Sequence, residues 1–144
     1  MNLVTKLYTP EVLDLGARLY DYPMRDDLPF TGQARSPSCG SVISLALACD
    51  GQGRIIELGL QSQACAIGQA AAALFAKAAR GHDRASLAQA EQEISQWLAE
   101  DGALPAWPGL DVLAAARAYP ARHGAILLAW RAALAALFNP ADES

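Results

Sequence analysis

The stretch from Ser41 to Ser62 fixes most of what this 144-residue chain can become. Ile43, Leu45 and Leu47 alternate with the small residues Ser44, Ala46 and Ala48, which is the two-residue period of a half-buried strand. Asp50-Gly51-Gln52-Gly53 follows, and glycine reaches the positive φ of tight turns at little cost. Ile56, Leu58 and Leu60 then alternate with Glu57, Gly59 and Gln61. The pattern predicts an antiparallel hairpin with strands at 41–48 and 54–62. A hairpin brings its two ends together. Here those ends are Pro37-Ser38-Cys39-Gly40-Ser41 and Gln63-Ala64-Cys65-Ala66-Ile67-Gly68-Gln69, so Cys39 and Cys65 are expected to lie close in space.

The rest of the chain reads as cover for this hairpin. Thr9-Pro10-Glu11 combines a capping hydroxyl, proline at the first helical position and an early acid, which is a helix start. Val12, Leu15 and Leu19 recur at helical spacing until Pro23 ends the run. Residues 30–34 suggest a short edge strand that Gly32 would weaken. A helix is expected from Cys65 to Arg80, with Gly81 beyond its end. Asp83 or Ser86 caps the next one, whose stripe is Leu87, Ala90, Ile94, Trp97 and Leu98. Gly102, Pro105, Pro108 and Gly109 mark a loop around Trp107, and a short helix carries Leu113 and Ala116 inward. Pro120 opens the last helix, with Ile126, Trp130 and Leu134 on one stripe. The expected fold is α+β: a small antiparallel sheet with one face covered by several helices, as a single domain over 1–144.

Composition excludes some functions. Eleven Lys and Arg against fifteen Asp and Glu give a net charge of −4, with no basic run, which argues against a nucleic-acid surface. No apolar run is long enough to span a bilayer, and the N-terminus lacks the order of a signal peptide, so a cytoplasmic location is expected. Three cysteines do not suit a disulfide framework, which leaves reduced thiols, metal ligands or reactive thiolates.

The hairpin ends are where chemistry is expected. Cys65 falls at a helix N-terminus, where free N–H groups and the helix dipole stabilise an anion such as a thiolate. Cys39 lies in a loop beside Gly40, which permits backbone geometry that other residues resist. Both could equally be small buried hydrophobes. Cys49 falls at the opposite, turn end of the hairpin. His123 falls in the first turn of the last helix, and His82 beside Asp83 after a helix end. There are no paired carboxylates, no Ser-His-Asp order, no phosphate loop and no CxxC, so the motifs make no case for an enzyme.

With the Cys-Gly loop, the two strands, the Ala-Cys-Ala-Ile-Gly-Gln-Ala helix start and Pro120-Ala121-Arg122-His123 leading into Leu127-Leu128-Ala129-Trp130, the chain resembles the U-type iron–sulfur cluster scaffold proteins, the IscU, SufU and NifU N-terminal group. That resemblance spans essentially the whole chain. It implies a scaffold that takes sulfur from a cysteine desulfurase, assembles an iron–sulfur cluster and passes it to apo-proteins, or binds zinc as a sulfur acceptor. Cys39 and Cys65 match two of the family's three cysteines. Ser41 stands where the family has an aspartate, and Ala125 where it has the third cysteine. His123 is the nearby group that could substitute as a metal ligand. Two thiolates per chain are too few for the usual four ligands of a [2Fe–2S] cluster, and a symmetric homodimer would supply four. A second reading is a metal-free binding or regulatory module within iron–sulfur assembly. A third is a redox protein cycling a Cys39–Cys65 disulfide, which needs Cα atoms within about 7 Å.

Overall fold

The computed structural model describes residues 7–37, 40–99 and 102–138. Its centre is a three-stranded antiparallel sheet in the order β1 (Phe30–Arg35), β2 (Val42–Cys49) and β3 (Ile55–Gln63). The alternation in sequence becomes a buried row. Ile43, Leu45 and Leu47 are fully enclosed, and their partners across the ladder are Ser62, Leu60 and Leu58. Each enclosed aliphatic side chain contributes on the order of 2 kcal/mol.

Both strands of the hairpin run one residue later than the periodicity predicts, and one side chain changes role. Ala48 pairs with Glu57 but Cys49 pairs with Ile55, so Ile56 is the extra residue of a β-bulge. Ile55 is therefore buried and Ile56 is 48% exposed. The edge strand extends to Arg35, and Gly32 has a positive reason to be there. A Cβ on Gly32 would lie 2.2 Å from the carbonyl oxygen of Ala132 and 2.5 Å from the nitrogen of Ala136. Those atoms belong to α4 (His123–Ala136), which crosses the sheet over this position and could not do so over any other residue.

Three further helices complete the cover. α1 (Pro10–Ala17) starts as expected, with Thr9 Oγ1 accepting the Val12 N–H at 3.2 Å. α2 (Ala66–Ala78) begins directly after Cys65 and is buried along most of its length. α3 (Arg84–Ala99) is capped reciprocally: Asp83 accepts the Ser86 N–H at 2.9 Å, and Ser86 Oγ accepts the Asp83 N–H at 3.0 Å. The segments Leu110–Ala118 and Pro120–Arg122 are 3-10 helices, so Pro120 opens a tighter turn that precedes α4.

Trp107, expected in a loop, is part of the core. Its indole N–H donates to the Leu74 carbonyl at 2.9 Å, its ring stacks on Phe75 at 5.7 Å, and Trp130 meets both rings edge to face. On its other side Trp107 stacks on His82, whose Nδ1 lies 2.9 Å from Ser86 Oγ. Burial pushes the His82 pKa below its ordinary value, outweighing the opposite pull of Asp83. A histidine held neutral in the fold but free to charge when unfolded gives stability that is full above about pH 6.5 and lost as pH falls below it. The expected result is a melting temperature that drops between pH 7.5 and 5.5 in wild type and drops less in His82→Gln, read by calorimetry. The carboxyls of Asp83, held low by the Ser86 N–H, and Asp27, held low by Arg25, act in the same direction in a more acidic window.

Candidate functional site

The open end of the hairpin is pinned by two backbone hydrogen bonds. Ser36 N–H donates to the Ser41 carbonyl and Gly40 N–H to the Ser36 carbonyl, each at 2.8 Å. Gly40 has φ +71°, a left-handed conformation that suits glycine. Ser36 and Ser41 are both buried. Cys39, expected to be one of the two site cysteines, lies outside the described residues, and its neighbour Gly40 marks where the loop meets the site.

Cys65 is the N-cap of α2. Its φ of −65° and ψ of 169° are those of a capping residue, yet its side chain makes no capping hydrogen bond. Its carbonyl accepts the Gln69 N–H at 2.9 Å, and the Gln69 side chain donates to the Ala64 carbonyl at 3.1 Å, which fixes the approach to the helix. Gly68 lets this turn press against α4: a Cβ there would lie 2.9 Å from Ala64 Cβ and 3.3 Å from Ala125 Cβ. Ala125 is fully buried in that contact.

Cys65 opens onto a shallow cleft of about 420 Å³ whose other lining residues are Gly40, Ser41, Gln63, Ala64, Gln69 and Arg122. The structure thus joins the two hairpin ends and the start of the last helix at one place. It brings Arg122 there, a residue for which the sequence alone suggests no role. His123 is differently placed. Its Nε2 is 2.9 Å from the Arg117 carbonyl, so that nitrogen donates and only Nδ1 keeps a lone pair. Among the described residues no group of three or more His, Cys, Asp or Glu side chains is arranged to hold a metal ion. A neutral hydroxyl at Ser41 and a methyl at Ala125 are poor substitutes for a carboxylate and a thiolate.

The other described thiol has a different environment. Cys49 lies at the turn end of the hairpin, beside Phe30, Asp50, Leu137 and Phe138. Burial pushes its pKa up and the Asp50 carboxylate adds to this, so it stays a protonated, poor nucleophile at neutral pH.

A family model for the NifU-like N terminal domain matches residues 8–137. The chain belongs to this family. The fold agrees with solved structures of low sequence identity. A nitrogen-fixing NifU-like protein (N-terminal) from Brucella abortus has 22% identity and a TM-score of 0.84, over 94% of this chain and 95% of that one. A putative iron–sulfur cluster assembly scaffold protein for the SUF system from Fervidobacterium islandicum AW-1 has 18% identity and a TM-score of 0.77, over 93% and 98%. A hypothetical protein has 24% identity and a TM-score of 0.71, over 92% and 98%. A search of curated protein sequences finds no match. The family and the α+β fold agree with the sequence reading. Among the described residues no helix is long and apolar enough to cross a membrane.

Proposed function

We propose that this protein is an iron–sulfur cluster assembly scaffold whose reactive centre is Cys65, acting together with Cys39. The observation that carries this reading is the position of Cys65: a cysteine occupying the N-cap of a NifU-like domain helix, uncapped and open to a cleft. The cargo is sulfur received from a cysteine desulfurase, or a cluster built from it and handed to apo iron–sulfur proteins. The protein is a carrier and not an enzyme, because Cys65 would be loaded once per delivery. The work takes place in the cytosol.

Two thiolates per chain would hold one side of a [2Fe–2S] cargo, with a second copy of the chain completing four ligands. A zinc ion at Cys39 and Cys65 would use His123 only through Nδ1, since Nε2 is committed to the Arg117 carbonyl. The substitutions Ser41 and Ala125 favour a second reading, a metal-free docking module for the same assembly machinery.

Anaerobic reconstitution with iron, cysteine and a desulfurase distinguishes the two. The scaffold reading expects a visible cluster chromophore or a persulfide on the chain, and expects Cys39→Ala and Cys65→Ala each to remove it. Neither product in wild type, with a desulfurase still captured by the Cys39→Ala/Cys65→Ala chain, would establish the docking module instead.

A further inference from the structure

The charge of the cleft is the feature that the scaffold reading leaves unused. Arg122 lines it together with Cys65, and among the described residues no carboxylate does. Arg122 is half-buried, and among the described residues its guanidinium has no ion pair or side-chain hydrogen bond. Other arginines of the chain are engaged: Arg25 by Asp27 and Glu57, Arg18 by Asp14, and Arg131 by Glu91. Ser41, which also lines the cleft, brings no charge to balance Arg122. A half-buried cation with no counter-ion among the described residues, sharing a cleft with a thiol at the positive end of a helix, disfavours a bare divalent metal and favours an anion.

Resting on the sulfur-carrier reading above, we propose that Arg122 is the specificity-determining residue of the site: it admits sulfur as an anionic persulfide to Cys65 and disfavours free metal cations. In the step it serves, the Cys65 thiolate attacks the terminal sulfur of a persulfide R–S–S⁻. A bond forms between Cys65 Sγ and that sulfur, the S–S bond that joined it to the R–S sulfur breaks with its electron pair leaving on R–S⁻, and this thiolate takes a proton from water, releasing hydroxide. Two negative charges stand on each side, the transferred sulfur keeps its oxidation state, and no oxidant is needed. Bringing two anions together is the unfavourable part, and one guanidinium offsets it. The same cation suits a thiolate-ligated cluster, whose net charge is also negative.

The test compares the reduced wild-type chain with Arg122→Gln and Arg122→Lys, following Cys65 by peptide mass mapping. Anionic iodoacetate and neutral iodoacetamide alkylate a thiol by the same reaction, so their rate ratio reads local charge. The ratio is expected to fall about tenfold in Arg122→Gln and to recover mostly in Arg122→Lys; any loss of thiolate slows both reagents alike and cancels from the ratio. Sulfur uptake from cysteine persulfide is expected to fall in parallel, and Zn²⁺ binding to tighten. An unchanged ratio with normal persulfide uptake overturns the role of Arg122 alone. Both rates falling together at an unchanged ratio overturns it too, because Cys65 has then lost reactivity without losing a preference for anions. A wild-type chain that keeps the anion preference but takes no sulfur overturns the carrier reading, and the persulfide role with it.

Discussion

Gly32→Ala is expected to destabilise the fold by about 3 kcal/mol, lowering the melting temperature by roughly 10 °C. The added methyl meets the Ala132 carbonyl and the Ala136 nitrogen, which are helix backbone and cannot swing aside as a side chain would. Relief requires α4 to lift from β1, loosening the cover over Leu45, the residue paired with Gly32. The consequence reaches the site, because α4 begins at His123, next to Arg122, and β1 ends beside the Ser36–Ser41 loop. Gly51→Ala is the control: nothing lies within 4 Å of its Cβ and its φ is not positive, so a change within about 0.5 kcal/mol is expected. Urea unfolding of the two variants separates a requirement for close approach from a general effect of losing a glycine.

Cys65→Ser is expected to do two opposite things. Serine is a preferred N-cap, and the backbone at this position already has N-cap geometry with no side-chain acceptor in use. The hydroxyl should therefore add about 1 kcal/mol of stability and raise the melting temperature by roughly 3 °C. The same change removes the sulfur nucleophile, so sulfur uptake and cluster formation at this site are expected to be lost. A position that would be more stable with another residue of similar size points to function, since stability and activity commonly trade at such places. A loss of stability in Cys65→Ser would mean that the thiol packs as a core residue, and would weaken the case for it as a reactive group.

The legible parts of this chain were those governed by local period and local caps. The alternation from Ile43 to Leu47, the Thr9-Pro10 start of α1 and the Asp83/Ser86 cap of α3 each follow from residues close in sequence. What the sequence concealed depended on distant contacts. Ile56 left the buried row because of a bulge at Cys49, which a simple period cannot announce. Trp107 looked like a loop residue among prolines and glycines, but the Leu74 carbonyl and the rings of Phe75 and Trp130 draw it inside. Gly32 read as a weak point of an edge strand and proved to be the crossing point of α4. At the site, the N-cap position of Cys65 was legible from the helix start. The choice between Arg122 and His123 was not. A 3-10 turn of three residues precedes α4, and each residue of such a turn rotates the side chain by about 120°, so neighbours point to different places. One faces the cleft and the other reaches the Arg117 carbonyl.

Cys65 is the residue expected to receive sulfur. The most direct measurement is the mass of the intact chain after anaerobic incubation with a cysteine desulfurase and cysteine, followed by peptide mapping. An added sulfur is expected on Cys65 in wild type, absent in Cys65→Ser and undiminished in Cys49→Ser. Sulfur found only on Cys49, or equal uptake by Cys65→Ser, would contradict it.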